Sequence, residues 1–412
     1  MEWMELITSS IEKADKFYFL FELALIVFAV KLMGQLSVKI GQPSVFGKLL
    51  VGIILGPSLL NILHPNELIK ELAEVGVILL MFLAGLETDL KEFKKSAFAS
   101  TLVAVGGVII PFFGGMGVAY FFGYEIHTAI FIGVLLVATS VSISVQTLRE
   151  LGKLKSKEGV TILGAAVLDD VLGIIILSAV LGIFAGGAAG GSGLGSLIFL
   201  LVKIIMFFVI AVALGYFILP KFITWFNQFQ VSQTLLAVSV ISALLFAYMA
   251  ELFGVAGIVG AYVCGLMLSL TPHRDEMTHK VESFSFPFFV PLFFVNIGLV
   301  ANFKEMNTEI IWFSLVLAFI AIITKIIGCG IGAKLAKFDT KSALGIGTGM
   351  IARGEVGLIV ALIGIDRGLI SNDLFGAAVI VVIATTLVTP PLIKLTMKRK
   401  KEEEVKPFVV NA

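Results

Sequence analysis

Residues 164–173 read GAAVLDDVLG, and residues 376–385 read GAAVIVVIAT. The shared opening, about 212 positions apart, is one sign of an internal repeat. The divergence after it puts Asp169 and Asp170 where the second copy has Val381 and Val382. Both stretches lie inside apolar runs long enough to cross a bilayer, which takes about 20 residues. A carboxylate at the centre of such a span costs about 2.5–3.5 kcal/mol on an insertion scale, and an adjacent pair costs more. The pair therefore reads as functional.

Three further pairs keep nearly the same offset. LMFLAGLETDL from Leu80 resembles FFVNIGLVANF from Phe293, VGIILG from Val51 resembles CGLMLS from Cys264, and GVLLVA from Gly133 matches the spacing of GTGMIA from Gly347. Apolar runs fall near 17–36, 44–61, 69–87, 96–122, 127–149, 158–184, 194–219, 232–253, 255–270, 284–301, 308–334, 341–365 and 373–396. These make about 13 transmembrane helices in an all-α membrane protein. The shift spans seven of them, so each helix of the second copy crosses in the opposite sense to its mate. Such inverted six-helix repeats, with the seventh helix as linker, are the arrangement by which secondary transporters alternate access to a midplane site.

Composition agrees. The 412 residues are 58% hydrophobic and 14% charged, with a mean hydropathy of +1.05, against about 25% charged in a soluble domain. The net charge of +1 gives no reason to expect a nucleic-acid partner. Cys264 and Cys329 sit in apolar runs and read as small filler rather than a disulfide or metal ligands. No cofactor is expected beyond the transported cation and the proton. The alternate set of loops that begins at 37–43 holds about 21 Lys and Arg and the opposite set about five, so the positive-inside rule places the N-terminus outside and the C-terminus in the cytoplasm. Residues 1–16 read as a retained interfacial segment, GGAAGGSG at 186–193 as a flexible external loop, and 397–412 as a cytoplasmic tail. His273 and His279 read as members of a solvated cytoplasmic loop, Glu87 and Asp89 as solvating a helix end, and Pro57, Pro111 and Pro287 as kinks or helix-end breaks.

Consecutive residues on a helix point about 100° apart, so Asp169 and Asp170 need separate roles. Like charges this close, out of water, bring one carboxyl into the range where it exchanges protons near neutrality. Deprotonated, the same oxygens are hard ligands for a dehydrated alkali cation held at Asp170 and Asp169. Proton and cation then compete for one site. In an alternating-access scaffold that competition is antiport.

Lys325 stands where the first copy has Phe112, too deep to snorkel, and needs an anion: the aspartate pair, or Glu355. The matching stretches ATSVSIS at 138–144 and ARGEVGL at 352–358 are poor sequences for an unbroken lipid-facing helix. Broken helices at this depth line cavities. Thr139, Ser140 and Ser142 could offer oxygens to the cation, Glu355 suits the positive end of a half-helix, and Arg353 suits a carbonyl end.

These segments, with the lysine of ITKIIG and the run GTGMIARGEVGLIVA, closely resemble bacterial monovalent cation:proton antiporters of the NapA type, in the Kef-related branch of that superfamily. The resemblance covers about residues 15 to 400. It implies an NhaA/NapA-like antiporter fold with two broken crossing helices, in a homodimer in the prokaryotic inner membrane. It also implies a dimerisation domain (17–62 and 232–270), a linker helix (194–219) and a core transport domain (69–184 and 284–396) that moves as an elevator. By the resemblance, Asp170 is the main cation and proton carboxylate, Asp169 is the partner of Lys325, and the helices cross at Thr139–Ser140 and Arg353–Glu355. The Asp-Asp pair implies electrogenic exchange, most simply of sodium, with lithium also accepted. Potassium efflux of the Kef type is the alternative, weakened because no nucleotide-binding domain follows. A sodium-coupled solute symporter would need more intramembrane polar groups than are found. An aspartyl protease would need its two aspartates on separate helices.

Overall fold

The helix starts are written in capping residues. Asn66 accepts the Ile69 amide at 2.8 Å with its side-chain oxygen, Asp89 accepts Lys91 N at 2.7 Å, Asp339 accepts Lys341 N at 3.0 Å and Ser371 accepts Leu374 N at 3.4 Å. Each satisfies an amide that has no partner within its own helix. The carboxyls of Asp89 and Asp339 stand outside the apolar runs and are held below the usual aspartate range, Asp89 by the Lys91 and Glu92 amides and Asp339 by the Ser342 side chain first and then by the Ser342 and Lys341 amides.

The computed structural model describes residues 17–184, 193–226, 228–229, 231–300 and 308–397. The expected N-terminal interfacial segment (1–16), most of the glycine-rich loop and the tail from 398 onward lie outside the described residues. Those described form seventeen α-helices and one five-residue π turn, Leu214–Ile218. In chain order the helices are α1 (Tyr18–Lys39), α2 (Ser44–Leu55), α3 (Glu67–Glu87), α4 (Leu90–Phe121), α5 (Ile126–Val137), α6 (Val141–Glu150), α7 (Lys157–Phe184), α8 (Gly193–Ala213) and α9 (Leu219–Phe226). There follow α10 (Thr234–Leu252), α11 (Gly257–Leu268), α12 (Arg274–Ser285), α13 (Phe289–Leu299), α14 (Thr308–Leu335), α15 (Thr340–Gly349), α16 (Glu355–Asp366) and α17 (Asn372–Thr396). Each of the thirteen apolar runs contains a helix or a broken pair. Among the described residues, eight spans are long and apolar enough to cross a membrane by length and composition, and nine if α12 and α13, bent by 51°, count as one.

The repeat reappears in the packing. A Cβ on Gly52 of α2 would stand 2.1 Å from the Val295 carbonyl oxygen of α13, and a Cβ on Gly265 of α11 would stand 2.1 Å from the Phe82 carbonyl oxygen of α3. Gly265 is 213 positions after Gly52, and Val295 is 213 after Phe82. The approach of Gly47 to Met33 O, 2.2 Å, recurs at the same shift in that of Gly260 to Phe246 O, also 2.2 Å. Backbones cross this closely only where the Cβ is missing, the usual device of helix contacts in lipid. Helices α2 and α11, mates in the repeat, are both 12 residues long, about 18 Å at 1.5 Å per residue.

Three expectations are corrected. The run 44–61 is helical only to Leu55, because Pro57 disfavours helical backbone at Gly56, which is extended. His273 and His279 belong to α12 and its cap, not to a loop; Met277, Val281 and Ser285 are buried along one face of that helix. Glu87 is not solvated but only 15% exposed at its side chain and ion-paired to Arg149 at 3.0 Å.

Two groups of helices make most of their contacts within themselves. In one, the frame, α3 lies along α11 and α13, α13 lies on α2, and α1 and α10 flank α2 and α11. In the other, the bundle, α4 and α14 run together and carry α5, α7, α15 and α17. The broken span Ile126–Glu150 has 89% of its most apolar window buried, against 22% for α1 and for Ile198–Phe226. The break thus sits at the middle of the protein, while α1 and the α8–α9 span offer large apolar side chains such as Phe28, Phe199 and Phe217 outward.

Candidate cation and proton site

Two interrupted helices meet inside the bundle. Helix α5 stops at Val137 and α6 starts at Val141; α15 stops at Gly349 and α16 starts at Glu355. Each stop frees carbonyls that lipid cannot solvate. The Leu136 carbonyl accepts from Arg353 Nη2 at 2.7 Å, and the Val137 carbonyl accepts from Lys325 Nζ at 3.0 Å. Cations at the carbonyl end of a half-helix also oppose the negative end of its dipole. On the other break, Gly349 O accepts from Ser144 Oγ at 2.5 Å, Ile351 O from Arg353 Nη1 at 2.9 Å and Ala352 O from Ser140 N at 2.7 Å. Thr386 Oγ1 of α17 donates to Arg353 O.

Asp169 stands beside this crossing on α7. Its carboxylate accepts from Lys325 Nζ at 3.0 and 3.1 Å and from the Thr139 hydroxyl. Lys325 completes its set with Gly107 O at 2.8 Å. Asp169, Lys325 and Arg353 are all buried, at 1%, 0% and 0% exposure. A buried pair of this kind is weak support for stability but costly to break on one side only. Its value is positional.

Asp170, one residue on, is 6% exposed and, together with Asp169, lines a cavity of about 40 Å³ with Ala138, Gly173 and Val356. A space of that size holds a dehydrated alkali ion or a few water molecules. Ala256 and Val356 also line a second cavity of about 690 Å³, whose wall carries Asn66, Glu67, Glu74 and Glu251 against one cation, Lys70, paired with Glu67 at 3.9 Å. These two small apolar residues therefore separate the carboxylate cavity from an acidic vestibule between frame and bundle.

The structure thus brings together Asp169, Asp170, Thr139, Lys325 and Arg353. Thr139 meets the aspartate rather than presenting a free hydroxyl. Ser140 contributes its backbone amide to the crossing, and Glu355 is the first residue of α16. Sequence reasoning missed the carbonyl of Gly107 and the hydroxyls of Ser144 and Thr386 as supports of the crossing. It also missed the vestibule carboxylates. Ser144 and Thr386 stand in stretches singled out for other reasons, but nothing local tells a capping hydroxyl from one bonded to its own helix.

The comparisons with known proteins fit this geometry. The profile of a family described as "Sodium/hydrogen exchanger, transmembrane" matches residues 24–399. The chain belongs to that family. It is a secondary active antiporter of monovalent cations and protons, and its relatives are transporters rather than enzymes. It is 46% identical over 385 residues, 93% of its own length and 98% of the relative's, to the Na(+)/H(+)-K(+) antiporter GerN of Bacillus cereus. It is 39% identical over 377 residues, 92% and 97% of the two chains, to a Na(+)/H(+) antiporter of Enterococcus hirae. The solved structure of the sodium proton antiporter MjNhaP1 of Methanocaldococcus jannaschii superposes with a TM-score of 0.72 at 16% identity, covering 94% of this chain and 99% of that one. That likeness shows the fold.

Proposed function

We propose that this antiporter is of the NapA type and exchanges sodium, with lithium also accepted, for protons at Asp170. The observation that carries the reading is that both aspartates of α7 line the small cavity beside the vestibule wall, with Asp169 held in place by Lys325 and Thr139. Sodium entering from the vestibule displaces the proton of Asp170, and the bundle then carries the ion across the frame as an elevator. The packing supports a bundle of α4–α7 with α14–α17, so α3 and α13, first grouped with the core transport domain, move to the frame. Release of Asp169 from Lys325 on cation binding would let a second proton travel, making the cycle electrogenic. The chain works as a homodimer of such units.

The lysine-rich ends Lys91, Lys94, Lys95, Lys153, Lys155 and Lys157 support a cytoplasmic placement for the side where α3 ends and α4 begins. The vestibule then faces outward, and the carboxylates Glu67, Glu74 and Glu251 concentrate cations at its mouth. Potassium as a further substrate is a second reading, favoured by the likeness to the Na(+)/H(+)-K(+) antiporter of Bacillus cereus.

Purified protein in liposomes carrying a trapped pH dye tests this. Sodium or lithium pulses should move protons, an imposed potassium-valinomycin potential should drive the exchange, and Asp170→Asn should be silent. Persistence of exchange in Asp170→Asn would reject the assigned carboxylate, and indifference to the potential would reject an electrogenic cycle.

A further inference from the structure

The repeat that pairs Gly52 with Gly265 also pairs the wall of the vestibule with residues at the opposite end of the molecule. Shifted by 213 positions, Gly257, Val300 and Ala73 of the vestibule become Ser44, Glu87 and Phe286, and at the 214-position shift of the broken helices its Ile359 and Leu362 become Val145 and Leu148 of α6, the two turns that lead into Arg149 and Glu150. These positions are scattered in the chain, yet they gather at the foot of α6. Arg149 Nη2 lies 3.0 Å from Glu87 Oε1 and 3.0 Å from Glu282 Oε2, and its guanidinium carbon lies 4.6 Å from the Phe286 ring centre. Glu150 accepts from the Ser44 amide and hydroxyl at 2.6 Å each and from Gln146 Nε2 at 2.8 Å, with Lys48 Nζ 3.6 Å away. Where one end of the molecule holds a cavity of about 690 Å³, its counterpart is filled by ion pairs. Arg149 and Glu150 belong to the bundle, and Ser44, Lys48, Glu87 and Glu282 to the frame, so these bonds must part whenever the two groups slide.

A second observation lies just above this cluster. Ser142 and Gln146 are 1% and 2% exposed, and their Oγ and Oε1 atoms have no hydrogen-bond partner among the described residues. Residues four apart share a helix face, so Ser142, Gln146 and Glu150 form one polar strip from the break at Ser140 to the end of α6. Burying an acceptor without a partner costs about 1–3 kcal/mol. That cost makes sense if the strip meets water in another conformation.

We propose that the inner mouth of the transport route opens along this strip, lined by Ser142 and Gln146, and that Arg149 and Glu150 hold it shut in the present conformation by clasping the frame. This rests on the alternating-access reading above and adds to it the residues that line and close the second entrance. Outward opening and the intact clasp are two aspects of one state.

The test is cysteine accessibility in the full-length protein with Cys264 and Cys329 replaced by alanine. Gln146→Cys is challenged in oriented membrane vesicles with a membrane-impermeant methanethiosulfonate applied to either face, and labelling is read by mass. Labelling should occur from the face that carries the foot of α6 and not from the vestibule face. It should be about two- to fivefold faster when Glu282→Gln or Arg149→Ala is added, the factor that loss of one partly exposed ion pair allows. Glu282 is half exposed, so its variant keeps the comparison available if Arg149→Ala does not fold, and Ser142→Cys replaces Gln146→Cys on the same terms. A position sealed from both faces, labelled only from the vestibule face, or labelled equally with and without the clasp overturns the proposal. Exchange by the alanine background, and its loss in Asp170→Asn, tests the antiport reading separately. A protein that exchanges with position 146 sealed overturns the inner mouth alone.

Discussion

Helices α7 and α17 begin alike and end differently. Both contain Gly-Ala-Ala-Val, at 164–167 and 376–379, and both lie against the crossing of the broken helices. On α7 the next positions but one are Asp169 and Asp170; on α17 they are Val381 and Val382, 0% and 1% exposed. The same contrast separates α4 from α14, where Phe112 is the counterpart of Lys325 in the repeat. Backbone approaches are shared by the copies, whereas ionisable groups are not. Scaffold and chemistry are thus separable: the two-fold relation supplies two ways of packing one bundle on one frame, and each charge stands in one copy alone, the aspartates in the first and Lys325 in the second.

The largest effects should come from the positions at which the copies differ in charge. Asp170→Asn is expected to reduce sodium-driven proton movement in liposomes to that of protein-free vesicles. Asp169→Asn should act first on stability, because Lys325 would be left as an uncompensated buried charge, a loss of about 3–5 kcal/mol. The double variant Asp169→Asn with Lys325→Met should regain most of that stability, since neither charge then remains. Melting in detergent reads both, and a double variant no more stable than the single would mean that Lys325 is neutralised by groups other than Asp169.

Effects on the shared scaffold should be smaller and matched. Gly52→Ala and Gly265→Ala each drive a methyl to 2.1 Å from a carbonyl oxygen, and overpacking of this kind costs about 1–3 kcal/mol or more. Their losses of melting temperature should agree with one another, and a neutral result at one of them alone would break the equivalence of the copies.

Much of this was legible in the sequence because a bilayer leaves a chain few choices. Every spanning segment must be apolar and every buried carboxylate must be useful, so the thirteen runs, the aspartate pair and Lys325 stand out. The residues by themselves narrow the partner of Lys325 to the aspartates or Glu355, the resemblance points to Asp169, and the structure shows that contact at 3.0 Å. Helix α12 was hidden because its composition is that of a solvated loop, although Met277, Val281 and Ser285 at intervals of four already traced its buried face. The clasp was hidden for a different reason. Arg149 and Glu87 are far apart in sequence, and each taken alone has the look of a charge at a helix end.

Thr385 and Thr386 show where local reading stops, and they give the finest test of the comparison. They are adjacent, chemically identical and 0% and 1% exposed. Thr385 Oγ1 donates to Val381 O of its own helix at 2.7 Å, a carbonyl that the helix already serves. Thr386 Oγ1 instead reaches Arg353 O in the interrupted stretch between α15 and α16, where no helical amide is available. Valine keeps the shape of threonine and removes the hydroxyl. Thr386→Val should therefore strand a buried carbonyl, cost about 1–3 kcal/mol, and slow exchange by loosening the backbone that positions Arg353. Thr385→Val should change stability by less than about 1 kcal/mol, because the Val381 carbonyl keeps its helical partner. Equal losses at the two positions would show that the crossing is held by the cations alone and that the α17 hydroxyl adds nothing to it.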